Sequence, residues 1–264
     1  MNEQENATEE VTVNQEDASE NKEKTKLEEI REMFDLKKVF NLYGKSFLSG
    51  LKITILSTVV SLVFAMILGL ISCFMSLSKI KLLNWISKFY IWIIRGTPLI
   101  VLGLMFYFAL PQVFGLFGIS LMWAKIGGVF TVSVIVLALN AGAYISEIFR
   151  AGMLAVPKGQ EEAARSLGLS KVKALRRVIL PQAIKVAVPS LVNQCIITLK
   201  DTSILMALGL RDLVYHAKNA ATQGGALATY TVLAAFYLIV VTALTVLSHY
   251  VERKTDYAKK NSNK

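Results

Sequence analysis

The chain has little of what soluble enzymes use for chemistry. It carries two cysteines and two histidines among 264 residues. Cys73 and Cys195 sit in separate apolar runs with no His, Cys or acidic cluster beside them. That pattern excludes a metal site or redox pair as the expectation and leaves packing. His216 and His249 stand alone in sequence, and no nucleophile–base or metal-ligand spacing occurs, so an enzyme is not expected. No Gly-rich loop ending in Gly-Lys-Ser/Thr occurs either, so the chain cannot hold ATP by that device. The start lacks the basic-then-apolar order of a signal peptide. Charge is scarce as well, at 18% of residues against 54% apolar. A soluble domain of this length has no use for the repeated uninterrupted apolar runs that result.

Negative charge is nearly confined to one end. Residues 1–35 hold 12 acidic and 4 basic side chains, and the rest of the chain holds 7 acidic and 25 basic. Residues 1–40 read as an acidic, mostly disordered tail, because they are too poor in apolar side chains to offset the entropy of ordering. A helix fraying in over residues 27–40 is compatible with that reading. Residues 41–251 read as a membrane domain, and residues 252–264 as a basic C-terminal tail.

A membrane-crossing helix needs about 20 mainly apolar residues. Residues 53–77, 99–119, 126–145, 186–210 and 227–247 meet that length, with the second span extending back toward residue 91. The expected fold is therefore all-α and integral to the membrane, with about five transmembrane helices. Lys79, Lys81, Lys88 and Arg95 follow span one, and a larger basic group follows span three. The positive-inside rule then places the N-terminus outside and the C-terminus in the cytoplasm. Lys37, Lys38, Lys45 and Lys52 fit that orientation less well and leave an even-span topology with the tail inside as the alternative.

Between spans three and four lies the hydrophilic stretch "EEAARSLGLSKVKALRRVILP", within the cytoplasmic loop 151–182. Pro157 and Gly159 mark a turn, and Glu161 and Glu162 suit the first turn of a helix, where the helix dipole favours acid. Ala163, Ala164 and Leu167 supply a short apolar face. Gly168 suits a left-handed stop, and Ser170 suits the cap of a second helix. Pro181 is placed to open span four. The order Glu162-Ala163-Ala164, three residues, Gly168, nine residues and Val178-Ile179-Leu180-Pro181 resembles the EAA loop of bacterial ABC-importer permeases. Val178 stands where that pattern usually has isoleucine. "IRGTPLI", "LNAGAYISEIFRAGMLAVPKGQ" and "LKDTSIL" are similar to the polar amino-acid uptake subfamily.

The resemblance implies that Glu161, Glu162, Ala163, Ala164, Gly168, Leu180 and Pro181 belong to a cytoplasmic coupling element that docks on an ATPase. It implies two ATP-binding subunits, a second permease copy or paralogue, an extracellular amino-acid-binding protein and an amino-acid substrate. No cofactor is expected on this chain, since ATP belongs to the partners. A bacterial cell membrane is the implied location.

Polar residues within or beside spans are costly in lipid and mark partners or pathways. Arg95, Thr97, Asn140, Glu147, Lys200, Asp201, Thr202 and Ser203 are the candidates for a substrate path. Bland roles stand beside these: Arg95 snorkelling, Glu147 paired with Arg150 at i,i+3, and Lys200 neutralising Asp201. Arg165, Lys171, Lys173, Arg176 and Arg177 make a basic segment, but no aromatic residues are interleaved for nucleic-acid stacking, so no nucleic acid is expected. The alternative function is an ion-coupled secondary transporter using Lys200, Asp201 and Glu147. Such carriers usually show internal repeats, and none is evident here.

Overall fold

A computed structural model describes residues 35–119 and 121–261. The acidic residues 1–34 lie outside the described residues, as do 262–264. Helix α1 runs Leu36–Ser76, so it begins well before the apolar run that predicts it. Asp35 caps it, accepting the Lys38 N–H at 2.9 Å. Helix α2 is Lys81–Gly96. Helix α3, Leu99–Leu104, continues through a π turn at Met105–Ala109 into α4, Leu110–Leu116. After a 3₁₀ turn at Trp123–Ile126 comes α5, Gly128–Leu154. Helix α6 is Lys158–Ser166, and α7, Lys171–Ala174, passes through a second π turn into α8, Leu180–Asp201. A 3₁₀ segment, Thr202–Leu208, leads to α9, Leu213–Gly224, and α10, Ala226–Asn261.

Five stretches are long and apolar enough to cross a membrane: Leu36–Ser76, Leu99–Leu116, Gly128–Leu154, Lys171–Leu208 and Ala226–Tyr250. The described residues are mostly helical, with no strand among them. The fold is all-α with five candidate membrane helices, as the apolar runs predict. Large apolar side chains such as Phe64, Ile67, Ile71 and Ile239 remain outward-facing on these helices. In water that surface would be an aggregation liability; against lipid tails it is at no disadvantage.

Small residues set the helix crossings. A Cβ on Gly69 of α1 would lie 2.6 Å from the Ile145 side chain of α5, and one on Gly152 of α5 would lie 2.7 Å from the Ala183 carbonyl of α8. Close backbone approach of this kind replaces the hydrophobic drive that lipid removes. Helix α5 is thus the central post, burying Val132, Val136, Leu137, Ala141, Ala143 and Ile145.

The second span is more than the run 99–119. Asn84 Nδ2 bonds the Ser76 carbonyl, Ser72 and Ser87 hydroxyls meet at 2.8 Å, and Tyr90 Oη donates to the Leu139 carbonyl at 2.7 Å. These pairings run α2 antiparallel to α1, up to the level of the middle of α5. The chain breaks there at Thr97 and Pro98, both extended (φ −107°, ψ 130° and φ −56°, ψ 139°), before α3 begins. The residue before a proline is pushed out of the helical region, which ends α2 at this point.

The second helix of the hydrophilic stretch differs from its expectation. It does not stop before Pro181 but runs on into span four through the π turn Leu175–Ile179, where the Leu180 N–H reaches back to the Leu175 carbonyl. Proline lacks an N–H and its ring collides with the carbonyl four residues earlier; a wider turn just before it relieves both problems. The same device precedes Pro111, with the Leu110 N–H bonded to the Met105 carbonyl.

Candidate functional site

The break between α2 and α3 opens onto a cavity of about 480 Å³, lined by Arg95, Gly96, Thr97, Pro98, Leu99, Asn140, Tyr144, Gln194, Ile197 and Asp201. Three elements build it. The break supplies Arg95 to Leu99; α5 supplies Asn140 and Tyr144, one turn apart; α8 supplies Gln194, Ile197 and Asp201, spaced i, i+3, i+7 on one face. Helical periodicity alone puts each set on one side of its helix.

Several side chains here are held in place. The Arg95 guanidinium lies 4.8 Å above the Tyr144 ring, a cation–π contact that keeps it beside the cavity. Thr97 Oγ1 donates to the Ile93 carbonyl at 2.7 Å, closing the end of α2. Gln194 is buried, with its Nε2 3.4 Å from Thr198 Oγ1. Asn140 is buried and Asp201 half-buried at the cavity. One cation, one anion and two amides therefore converge on a single concave site.

The remaining path candidates lie elsewhere. Glu147 forms a fork with Arg150 on α5, with Nε to Oε1 at 3.0 Å and a guanidinium nitrogen to Oε2 at 2.7 Å. Lys200 is exposed, and Ser203 Oγ returns to the Lys200 carbonyl at 2.6 Å. Thr202 is fully buried and donates to the Leu199 carbonyl at 2.8 Å. Thr202 and Ser203 follow Asp201 in the 3₁₀ segment and, like Lys200 before it, are not part of the cavity lining. Tyr144 and Gln194 line the cavity although neither is among the path candidates drawn from the sequence. The signal was present: Gln194 is polar within an apolar run, seven residues before Asp201, and Tyr144 is four after Asn140.

The hydrophilic stretch forms a separate site at the other end of α5 and α8. Pro157 precedes α6, and Glu161 and Glu162 fall in its early turns. Gly168 takes φ +82°, and the Leu169 N–H returns to the Ala164 carbonyl at 3.2 Å, so the helix ends in a left-handed cap. Ser170 is extended but makes no side-chain cap bond to α7. Ala164 is buried; Glu162, Ala163 and Gly168 are exposed. Leu167 and Val172 are 84% and 73% exposed, unusual for apolar side chains flanked by charge. Behind them Val156, Ile179 and Ala183 pack with Met153 and Leu175, and Gln182 Nε2 reaches Gln160 Oε1 at 3.3 Å. Leu180 is half-buried and Pro181 exposed at the start of α8.

Comparison with known proteins gives a consistent result. The model of the family described as binding-protein-dependent transport system inner membrane component matches residues 61–257. The arginine transport system permease protein ArtQ of Bacillus subtilis is 38% identical over 208 residues, spanning 78% of this chain and 91% of that protein. The glutamine transport system permease protein GlnP of Escherichia coli is 35% identical over 208 residues, with the same shares. A crystal structure of an amino acid ABC transporter with histidines superposes with TM-score 0.73 at 36% identity, over 81% of this chain and 96% of that one. An inward-facing methionine ABC transporter shares the fold at TM-score 0.63 and 20% identity, over 80% and 96% of the two chains.

Proposed function

The chain belongs to the family of binding-protein-dependent transport system inner membrane components, and on that premise we propose that it is the membrane-spanning permease of an ATP-driven amino-acid importer. The observation that carries this reading is the cavity at the broken second span, where Arg95 and Asp201 face one concave site with Asn140 and Gln194. An amino acid presents a carboxylate and an ammonium on one carbon. A cation with an amide suits the first group, and an anion with an amide suits the second. Interrupted helices near the middle of a bundle are a recurrent way to bind small polar substrates in membranes. Relatives named for arginine and glutamine transport support an amino-acid substrate.

Energy enters through α6 and α7. Leu167 and Val172 stand exposed beside Glu162 and Arg165, an apolar knob in a charged rim that suits a groove on a soluble subunit. That subunit is a cytoplasmic ATPase, two copies serving a pair of permeases, and an external binding protein delivers the amino acid. The pair is two copies of this chain or one with a paralogue. The basic loops support a cytoplasmic α6, with the N-terminus outside and the C-terminus inside. Family membership favours this reading over an ion-coupled carrier. It is tested by co-purifying the chain with its cognate ATPase, as wild type, Glu162→Lys and Gly168→Asp. Retention by the wild type and loss in both variants is expected, with the variants still folded by thermal unfolding. Full retention and unchanged ATP-driven uptake in both variants overturns the docking role.

A further inference from the structure

Asp212 lies between span four and α9, and its side chain is fully buried. Its Oδ1 caps α9 by accepting the Tyr215 N–H at 2.9 Å, while Oδ2 has no hydrogen-bond partner among the described residues. Tyr237 of α10 buries its hydroxyl beside Thr202 and within the field of the Asp212 charge, with no closed hydrogen bond among the described residues. Thr202 is buried too, and its Oγ1 already spends its proton on the Leu199 carbonyl. That hydroxyl oxygen can therefore only accept.

Among the described residues, the side chains packed on Asp212 from the neighbouring helices are uncharged. Helix α1 contributes Gly50, whose added Cβ would lie 2.7 Å from the Asp212 carbonyl, and Thr54, whose Oγ1 accepts the Leu213 N–H at 3.1 Å. On α9, His216 packs its ring edge at the same glycine. Arg211 is exposed. The 3₁₀ segment offers Thr202 and α10 offers Tyr237. Burial pushes the Asp212 carboxyl up to about 6, against the pull of the N–H groups of Tyr215, Val214 and Asp212 itself. Burial and the Arg211 charge hold His216 below its ordinary value. A buried carboxylate with one oxygen unpaired is expensive, and a proton is the simplest remedy.

We propose that Asp212, Tyr237 and Thr202 form a proton-operated hydrogen-bond chain that fastens span five to the segment behind the cavity wall. When solvent supplies a proton to Oδ2, Asp212 donates to Tyr237 Oη, Tyr237 donates to Thr202 Oγ1, and Thr202 donates to the Leu199 carbonyl. Every hydroxyl is then used once as donor. When that proton leaves to solvent, Tyr237 turns its own proton to Oδ2 and releases Thr202. Thr202 adjoins Asp201 at the cavity, so the protonation state is felt at the cavity wall.

The test uses the full chain, assembled with its partner subunits in lipid nanodiscs. Infrared difference spectra across the acid range should show a protonated-carboxyl band in the wild type titrating near pH 6, absent in Asp212→Asn and kept in His216→Gln. Thr202→Val removes the acceptor that draws the Tyr237 proton away from Asp212. The ionised form then gains, and the midpoint falls by about one unit. The raised folded-state value means the stabilisation is full below the unfolded carboxyl value of about 4 and is lost as pH rises through about 6. The unfolding temperature of the wild type should fall relative to Asp212→Asn over that interval. A missing band, or a midpoint unmoved by Thr202→Val, overturns the proposal. A midpoint that moves with sodium concentration at fixed ionic strength also overturns it, because a bound cation then neutralises Asp212.

Discussion

Arg95 and Asp201 are far apart in sequence and meet only because span two is interrupted. Each is an incomplete charge in a site walled by protein, where a charged hydrogen bond is worth about 1.5–3 kcal/mol. Removing either charge should therefore weaken the apparent affinity for the transported amino acid by about 10-fold or more. The readout is amino-acid-stimulated ATPase activity in Arg95→Gln and Asp201→Asn complexes, and a substrate curve unmoved in both would remove them from the site. Lys200→Gln should leave that curve in place, since Lys200 faces away from the cavity. Glycine positions make a matched pair at the same scale. Gly50→Ala forces a Cβ to 2.7 Å from the Asp212 carbonyl, whereas Gly96→Ala meets nothing within 4 Å. The first should lower the unfolding temperature, with about 1–3 kcal/mol of overpacking; the second should leave it nearly unchanged. Arg95, Thr97, Asn140 and Asp201 were legible as path candidates because charge and amide are costly in apolar runs. Thr202 adjoins Asp201 in sequence, yet in a helix adjacent residues point about 100° apart. Spacing was the better guide, and it points to Gln194 and Tyr144.

Elements show where local rules met tertiary context. Gly168 was legible because a helix ending in "SLGLS" needs a left-handed residue, and φ is +82° there with open space around it. Gly168→Ala should therefore cost only the left-handed strain, about 1–2 kcal/mol. It should reduce ATP-coupled uptake more than it reduces whole-protein stability, as measured by uptake and thermal unfolding on one preparation. Pro181 reads in sequence as a helix start, because a helix interior penalises proline. The chain keeps the helix and widens it instead, at both Leu110-Pro111 and Leu180-Pro181. Pro181→Ala permits the turn at Leu175–Ile179 to relax to α geometry. That turns α7 and the preceding loop relative to α8, so cross-linking from α6 to the ATPase should drop while the spans stay folded. The approach to span two was only half legible: α2 carries lysines and aromatic residues, which hid its place as the helix that leads into the break at Thr97 and Pro98.

At the scale of the molecule, five apolar runs were enough to specify an all-α membrane bundle, because lipid leaves backbone polar groups no partner but their own helix. Length was less legible than existence. Helix α1 extends to Leu36, where Val39 and Phe47 pack against α9 and α10, contacts that hydropathy along one segment cannot register. The broken span, the polar cavity and the exposed α6–α7 knob lie on one frame, with α5 and α8 joining them. A rigid link of that kind lets movement at one end be felt at the other. The most direct measurement is amino-acid uptake into proteoliposomes holding the assembled complex, with ATP inside and ionophores collapsing every ion gradient. Uptake that continues, requires ATP and is abolished by Glu162→Lys is the predicted result. Uptake that stops when the gradients collapse, or proceeds unchanged without ATP, contradicts the account.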